Sequence, residues 1–327
     1  MTTQTDTPSS TPCLGLELYR AMALIRSAEE TIQKHYFDDE MKTPMHMSMG
    51  AEAIAAGVCQ AIPDSQVFGT YRSHAIYLAK TGDVDGFFAE MYGKENAPLE
   101  GRGGSMHLCL PDKGFMGTSA IVGSSIPVAV GAAFANKQKK NETITISFFG
   151  EGAQNEGVFW ESINMASLMK LPILFVCEDN GLAVHTKKSE RNGYRSITDV
   201  VSQFDCHVLE SSSIDVEEIH SLTRQAKKQI EETGKPCFLL LQYHRHLEHV
   251  GVSKDYDAPY REASEEVSWS EKDPVLYQRN KLVELEGLEE DVLKVEEEIG
   301  KEVGESLEKA KKASFTSTTE LWNEVLS

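Results

Sequence analysis

Two breaks in apolar runs carry the residues best suited to chemistry. Phe148-Phe149-Gly150-Glu151-Gly152-Ala153 ends one run in an acid held between glycines, and Asp179-Asn180 ends the next, in "PILFVCEDN". A carboxylate and an amide carbonyl are hard oxygen donors of the kind Mg²⁺ or Ca²⁺ takes, and such an ion completes its shell with phosphate oxygens or water. Glycine on both sides of Glu151 lets the backbone approach a ligand. The N–H groups of residues 152–155 open the following helix and can meet phosphate oxygens. Taken alone, the stretch is equally well explained as a strand-to-helix turn with an exposed glutamate.

For those residues to meet, the strands before them must be neighbours. "TITISFF" and "PILFVCED" read as buried strands with the helix "NEGVFWESINMASLMK" between them, and "PCFLLLQYH" as a further strand. Alternating buried strands and helices predict an α/β fold with a mostly parallel, doubly wound sheet. Ligands of such sheets sit beyond the carboxyl ends of the strands, where both polar breaks fall. Upstream, "LGLELYRAMALIRSAEETIQKHYF" and "GAEAIAAGVCQAI" read as helices, the second ending before Pro63, and "IPVAVGAAFANKQKK" as another. Residues 66–125, rich in Gly, His, Arg and Ser, read as loops that wrap a ligand. The chain divides into a tail over 1–13, an α/β domain over 14–272 and a Glu/Lys/Leu-rich C-terminal helical arm over 273–327, read as a solvated face.

Bulk composition narrows the function. The 327 residues carry a formal net charge of -19, which argues against nucleic acid or an anionic membrane as partner. No apolar run approaches the roughly 18 residues of a membrane span, and "MTTQTDTPSSTP" has neither a signal core nor transit-peptide amphipathy. Six cysteines without a CxxC or close pair suggest neither zinc nor disulfides and fit a reducing cytoplasm.

Gly150-Glu151-Gly152 followed at a distance by Asn180 resembles the thiamine diphosphate motif, Gly-Asp-Gly…Asn-Asn. With "HMSMGAEAIAAGVCQAI", "TYRSHAIYLAK", "GRGGSMHL" and "AIVGSSIPVAVGAA" in order, the chain resembles, from about residue 15 to its end, the α subunits of 2-oxo acid dehydrogenase E1 components of the pyruvate, acetoin and branched-chain types. The resemblance implies a thiamine diphosphate-binding fold with Mg²⁺ held by Glu151, Asn180 and the main-chain oxygen of Leu182. It implies that Gly152 and Ala153 touch the diphosphate through the backbone, and that Tyr71, Arg72 and Arg245 hold its phosphate end. A planar guanidinium suits that contact. Val122 matches the position whose main chain meets the aminopyrimidine. His74 and His249 match the two histidines beside the thiazolium, His249 by a gapless alignment from Pro236; there an imidazole titrating near about pH 6.5 would fall in the working range. His244 and His246 are expected to be ordinary surface or core residues.

The resemblance further implies an E1 β-type partner in an α₂β₂ heterotetramer, with the activating glutamate on the β chain and not at Glu52, and a lipoylated E2 as acceptor for the acyl group released from a small 2-oxo acid. Three departures stand out: Glu151 where the motif has Asp, Asp179 where it has the first Asn, and Val250 where relatives carry a serine that is phosphorylated. "HRHLEHVG" resembles a bacterial branch with "EHVG" at this turn. Two other functions therefore compete: a two-subunit thiamine-dependent acyl transferase or carboligase with a carbonyl acceptor such as a sugar, and a non-catalytic regulatory paralogue.

Overall fold

The computed structural model describes residues 13–317 except 263 and 265–268. The expected tail therefore lies almost wholly outside the described residues. Six strands, β1 (Gln66–Phe68), β2 (Phe115–Gly117), β3 (Thr145–Gly150), β4 (Ile173–Asp179), β7 (His207–Ser211) and β8 (Cys237–Gln242), form one sheet in the order β2-β1-β3-β4-β8-β7. Every pairing in it is parallel. The remaining two, β5 (Leu182–Ala183) and β6 (Thr186–Lys187), make a small antiparallel hairpin beyond the end of β4.

Alternation along the central strands makes two cores. Ile146, Phe148, Leu174, Val176, Leu239 and Leu241 face a layer built on α1 (Leu14–His35), α2 (Glu52–Ala61), α3 (His74–Thr81), α4 (Val84–Met91) and α8 (Val216–Thr233). Phe149, Ile173, Phe175, Cys177, Phe238 and Leu240 face the opposite layer, on α5 (Ser125–Gln138), α6 (Gly157–Met169) and α7 (Ile197–Val201). A sheet covered on both faces requires apolar residues on both, which is why its strands read as continuous apolar runs.

The fold departs from the sequence reading in three places. Residues 66–125 contain β1, α3, α4 and β2 among their loops. Strand β7 and helix α8 lie in a stretch with no predicted element. The C-terminal helix Glu289–Lys312 is charged on one side only, for Val292, Val295, Ile299, Val303 and Leu307 are buried in the first core, against α1 and α4. Its apolar residues recur at three- and four-residue spacing, which makes a continuous buried stripe.

Candidate active site

The chain turns one way from β1 to β2 and the other way from β3 to β4, so β1 and β3 flank a topological switch point. A cavity of about 290 Å³ opens there, bounded by Thr70-Tyr71-Arg72 after β1, the turn after β3, the end of β4 and the β5–β6 hairpin. It gathers Tyr71, Arg72, Val122, Glu151, Gly152, Ala153, Asn180, Leu182 and His249, all of the expected site residues except His74 and Arg245.

At one end lie the oxygen donors. Gly150 pairs with Glu178, so the residues after β3 and β4 emerge side by side. Glu151 begins a 3-10 turn, Glu151–Asn155, and is buried at 2% exposure. Burial raises its carboxyl above the usual range, and hydrogen bonds from Arg191 oppose that rise. Arg191 Nη2 lies 2.7 and 2.6 Å from the two carboxylate oxygens. Asn180 donates through Nδ2 to the Tyr243 hydroxyl at 2.9 Å, while its Oδ1 accepts from Leu182 N at 3.0 Å and keeps a second lone pair. Glu151, Asn180 and Leu182 line one cavity, and a cation, the guanidinium, is already held at the carboxylate. The donor set fits Mg²⁺, and the longer acid in place of aspartate does not exclude it.

At the other end, Arg72 Nη2 lies 3.1 Å from His249 Nδ1 and donates to the His249 carbonyl at 2.9 Å, while Nη1 donates to the Met47 carbonyl at 2.6 Å. A guanidinium only donates. His249 Nδ1 therefore accepts, and the proton of the neutral ring sits on Nε2. Burial, reinforced by Arg72, pushes the imidazolium of His249 down to about 3. The expected titration near neutrality is thus corrected: beside a buried arginine the ring stays uncharged and offers an N–H donor. His46, which sequence reading passed over, sits with it. Its ring centroid is 4.6 Å from that of Tyr71 and 5.5 Å from that of His249, and burial lowers it to about 4. Backbone pairing makes this meeting, for His46 bridges to Gly251 and Gly251 N donates to the Met45 carbonyl at 2.9 Å.

Two expected residues stand apart. His74 is fully buried at the start of α3, with Nδ1 3.1 Å from Glu29 Oε1 and Nε2 2.7 Å from Ser105 Oγ. Its ring points into the first core against Phe87 and does not reach the cavity. Arg245 is buried on Asp255, at 2.8 Å, and on the Val184 carbonyl, at 3.3 Å. It braces the hairpin from behind and lines no part of the cavity. His246 stacks on Trp269 at 4.0 Å, and both it and His244 lie within hydrogen-bond distance of the Tyr256 hydroxyl. Glu52 is spent on Arg26 and the Gly50 amide.

Arg191 and Glu178 also line the cavity, neither foreseen. Desolvation, against the pull of Arg72, pushes the Glu178 carboxyl up to about 8. An acid inside the apolar run "FVCED" was its available signal. Among the described residues no cysteine is in a disulfide.

A parallel sheet with hard oxygens, guanidiniums and neutral imidazoles at its switch point defines a protein that binds an anionic cofactor with a divalent cation. The sequence matches the family described as "Dehydrogenase E1 component" over residues 20–318. It is 31% identical over 299 residues to the α subunit of acetoin:2,6-dichlorophenolindophenol oxidoreductase of Bacillus subtilis, covering 90% of this chain and 87% of that one. It is 32% identical to the mitochondrial pyruvate dehydrogenase E1 α-1 subunit of Oryza sativa, with 98% and 83% covered. To the pyruvate dehydrogenase E1 α subunit of Zymomonas mobilis it is 31% identical, with 95% and 88% covered. The chain belongs to the dehydrogenase E1 component family. It is an α-type subunit of a thiamine diphosphate- and Mg²⁺-dependent 2-oxo acid dehydrogenase, the kind that assembles with a β subunit as α₂β₂ and works with a lipoylated E2.

Proposed function

We propose that this chain holds the diphosphate and metal end of the cofactor and handles protons at the reacting end of a small 2-oxo acid, of the pyruvate or acetoin-derived class that its relatives' names point to. The observation that carries the reading is that one cavity is lined by Glu151, Asn180 and Leu182 and also by His249, against whose ring His46 packs. When bound, the thiazolium supplies the electron sink for decarboxylation. Glu151, Asn180 and the Leu182 oxygen would hold Mg²⁺, and the amides of Gly152 and Ala153 lie beside the space for the diphosphate. Arg72 orients His249 so that Nε2–H faces the reacting atoms as a donor, able to stabilise a developing oxyanion without becoming charged. Tyr71 and Val122 close the walls and limit water. Unpaired cysteines throughout support a cytoplasmic site of action.

The test is co-expression with a β-type partner, followed by a screen of 2-oxo acids for thiamine-dependent CO₂ release and calorimetry of cofactor binding. Glu151→Gln and Asn180→Ala are each expected to weaken thiamine diphosphate binding in the presence of Mg²⁺ by about ten-fold or more, the scale of a lost charged ligand contact. Unchanged affinity in both variants would remove these residues from the metal site.

A further inference from the structure

The β5–β6 hairpin and the 3-10 turn Lys188–Glu190 lay two cations over the carboxyl edge of the sheet. Lys188 Nζ lies 2.6 Å from Asp179 Oδ2, at the end of β4. Arg191 engages both oxygens of Glu151, after β3, and its Nη1 donates to Asn155 Oδ1. The side chains of Arg191 and Glu151 are 13% and 1% exposed, so the pair is largely withdrawn from water. The hairpin sits down on the acid's own turn: a Cβ at Gly152 would lie 2.9 Å from the Ala183 Cβ, which leaves room for glycine only.

This pairing conflicts with metal binding. A guanidinium nitrogen within 2.7 Å of both oxygens of a carboxylate puts a positive charge where a metal ion would approach them. An ion that takes Glu151 leaves the largely buried guanidinium without its carboxylate, held only by the neutral oxygens of Asn155 and Thr186, an unfavourable state for a charge withdrawn from water. The conflict is relieved only if another anion arrives in the same cavity, and the cofactor's diphosphate is such an anion. We propose that Arg191 is an exchangeable counter-ion of the cofactor site: it neutralises Glu151 until the metal ion arrives, and then donates its N–H groups to diphosphate oxygens. The inference rests on the reading of Glu151 as the metal ligand. It makes the ion alone a poor competitor for the site, so that ion and diphosphate load together.

The experiment uses the complex of this chain with its β partner, stripped of cofactor. Mn²⁺ is titrated without thiamine diphosphate and followed by water-proton relaxation. Arg191→Gln keeps an amide donor and removes the charge. The variant is expected to bind Mn²⁺ about ten-fold more tightly than the unaltered complex, and to bind thiamine diphosphate about ten-fold more weakly by calorimetry at saturating Mg²⁺. Equal or weaker Mn²⁺ affinity in the variant, or no measurable binding in either protein, overturns the exchange, and so does an unchanged diphosphate affinity. Adding Glu151→Gln to the Arg191→Gln chain separates the two layers. If Mn²⁺ binding survives that change, the metal-ligand reading has failed. If binding is lost but Arg191→Gln alone gave no gain, the exchange alone has failed.

Discussion

The proposed function gives proton handling to His249, against which His46 packs, and their environment sets what they can do. Held neutral by burial and by Arg72, His249 carries its proton on Nε2, the donor that the proposed function uses. His249→Ala should lower kcat by about 10²–10⁴-fold, the usual scale for a positioned proton-transfer group. Cofactor affinity measured by calorimetry should stay nearly intact, because the metal ligands hold the other end. His246→Ala, outside the cavity on Trp269, should change kcat little and thermal stability more; comparable, mild effects of both substitutions on kcat would reject a catalytic histidine in this turn. The same environments shape stability against pH. His46 and His246 at about 4 and His249 at about 3 lie below the ordinary 6.5, so the folded chain binds fewer protons than the unfolded one between those values. Stability contributed by the neutral rings is therefore full above about pH 6.5 and is lost as pH falls towards 4, by at most about 1.4 kcal/mol per pH unit for each histidine. Unfolding midpoints between pH 7 and 4.5 should fall less steeply in His249→Gln than in the unaltered chain. Glu151 and Asn180 were legible because an acid or amide that ends an apolar strand stands out locally. His46 was not, since its meeting with His249 is made by backbone pairing across some two hundred residues and "MHMSM" carries no local mark of it.

At the scale of elements, the segment that carries His46 is held by a buried relay. Glu29 of α1 accepts from Ser48 N at 2.6 Å and from His74 at the start of α3, whose other ring nitrogen meets Ser105 in the glycine-rich loop. Serine, histidine and glutamate thus stand in a row like a hydrolase triad, but each is at most 1% exposed, so no substrate reaches them. Through Glu29, His74 braces the backbone two residues from His46. His74→Leu should leave Glu29 buried with one donor fewer, destabilising the chain by about 3 kcal/mol, the scale for breaking a buried pair. It should also lower kcat while leaving the affinity for thiamine diphosphate nearly unchanged; parallel thermal unfolding and calorimetry check both, and a kcat equal to that of the unaltered chain would end the positioning role. Sequence reading took this region for loops because Gly, Arg and Ser dominate it. Helix α3 arises there because His74, Ala75, Ile76, Tyr77 and Leu78 are all buried, so its sides show no polar–apolar period. Strand β7 escaped for the opposite reason: it is an edge strand, half-exposed along its length. The central strands, covered on both faces, were the most legible part of the fold.

The whole molecule explains why this chain needs a partner. Its net charge is -19, yet the cavity presents Arg72 and Arg191, two guanidinium donors that an anionic cofactor can meet in an acidic protein. That cavity is walled on the sides that β1, β3, β4 and the hairpin supply, and the family resemblance implies that the activating glutamate comes from the β chain. At the cavity rim, Ile121 is 72% and Val122 44% exposed, two large aliphatic side chains facing water beside a polar site. Val122 belongs to the lining itself, and the expected occupant of this exposed aliphatic rim is the β subunit. The purified chain, shown free of any partner by mass spectrometry, should therefore release no CO₂ from 2-oxo acids, and activity should appear on adding the β chain. Ile121→Asp places a charge where an apolar contact forms on assembly, and a central interface position is worth about 2 kcal/mol or more. Sedimentation velocity should show association with the β chain weaker by about thirty-fold or more. The unfolding midpoint of the α chain alone should hardly move, because the side chain is already in water. Unaltered association would mean that this rim faces solvent in the assembled enzyme and that the cavity is closed from another side.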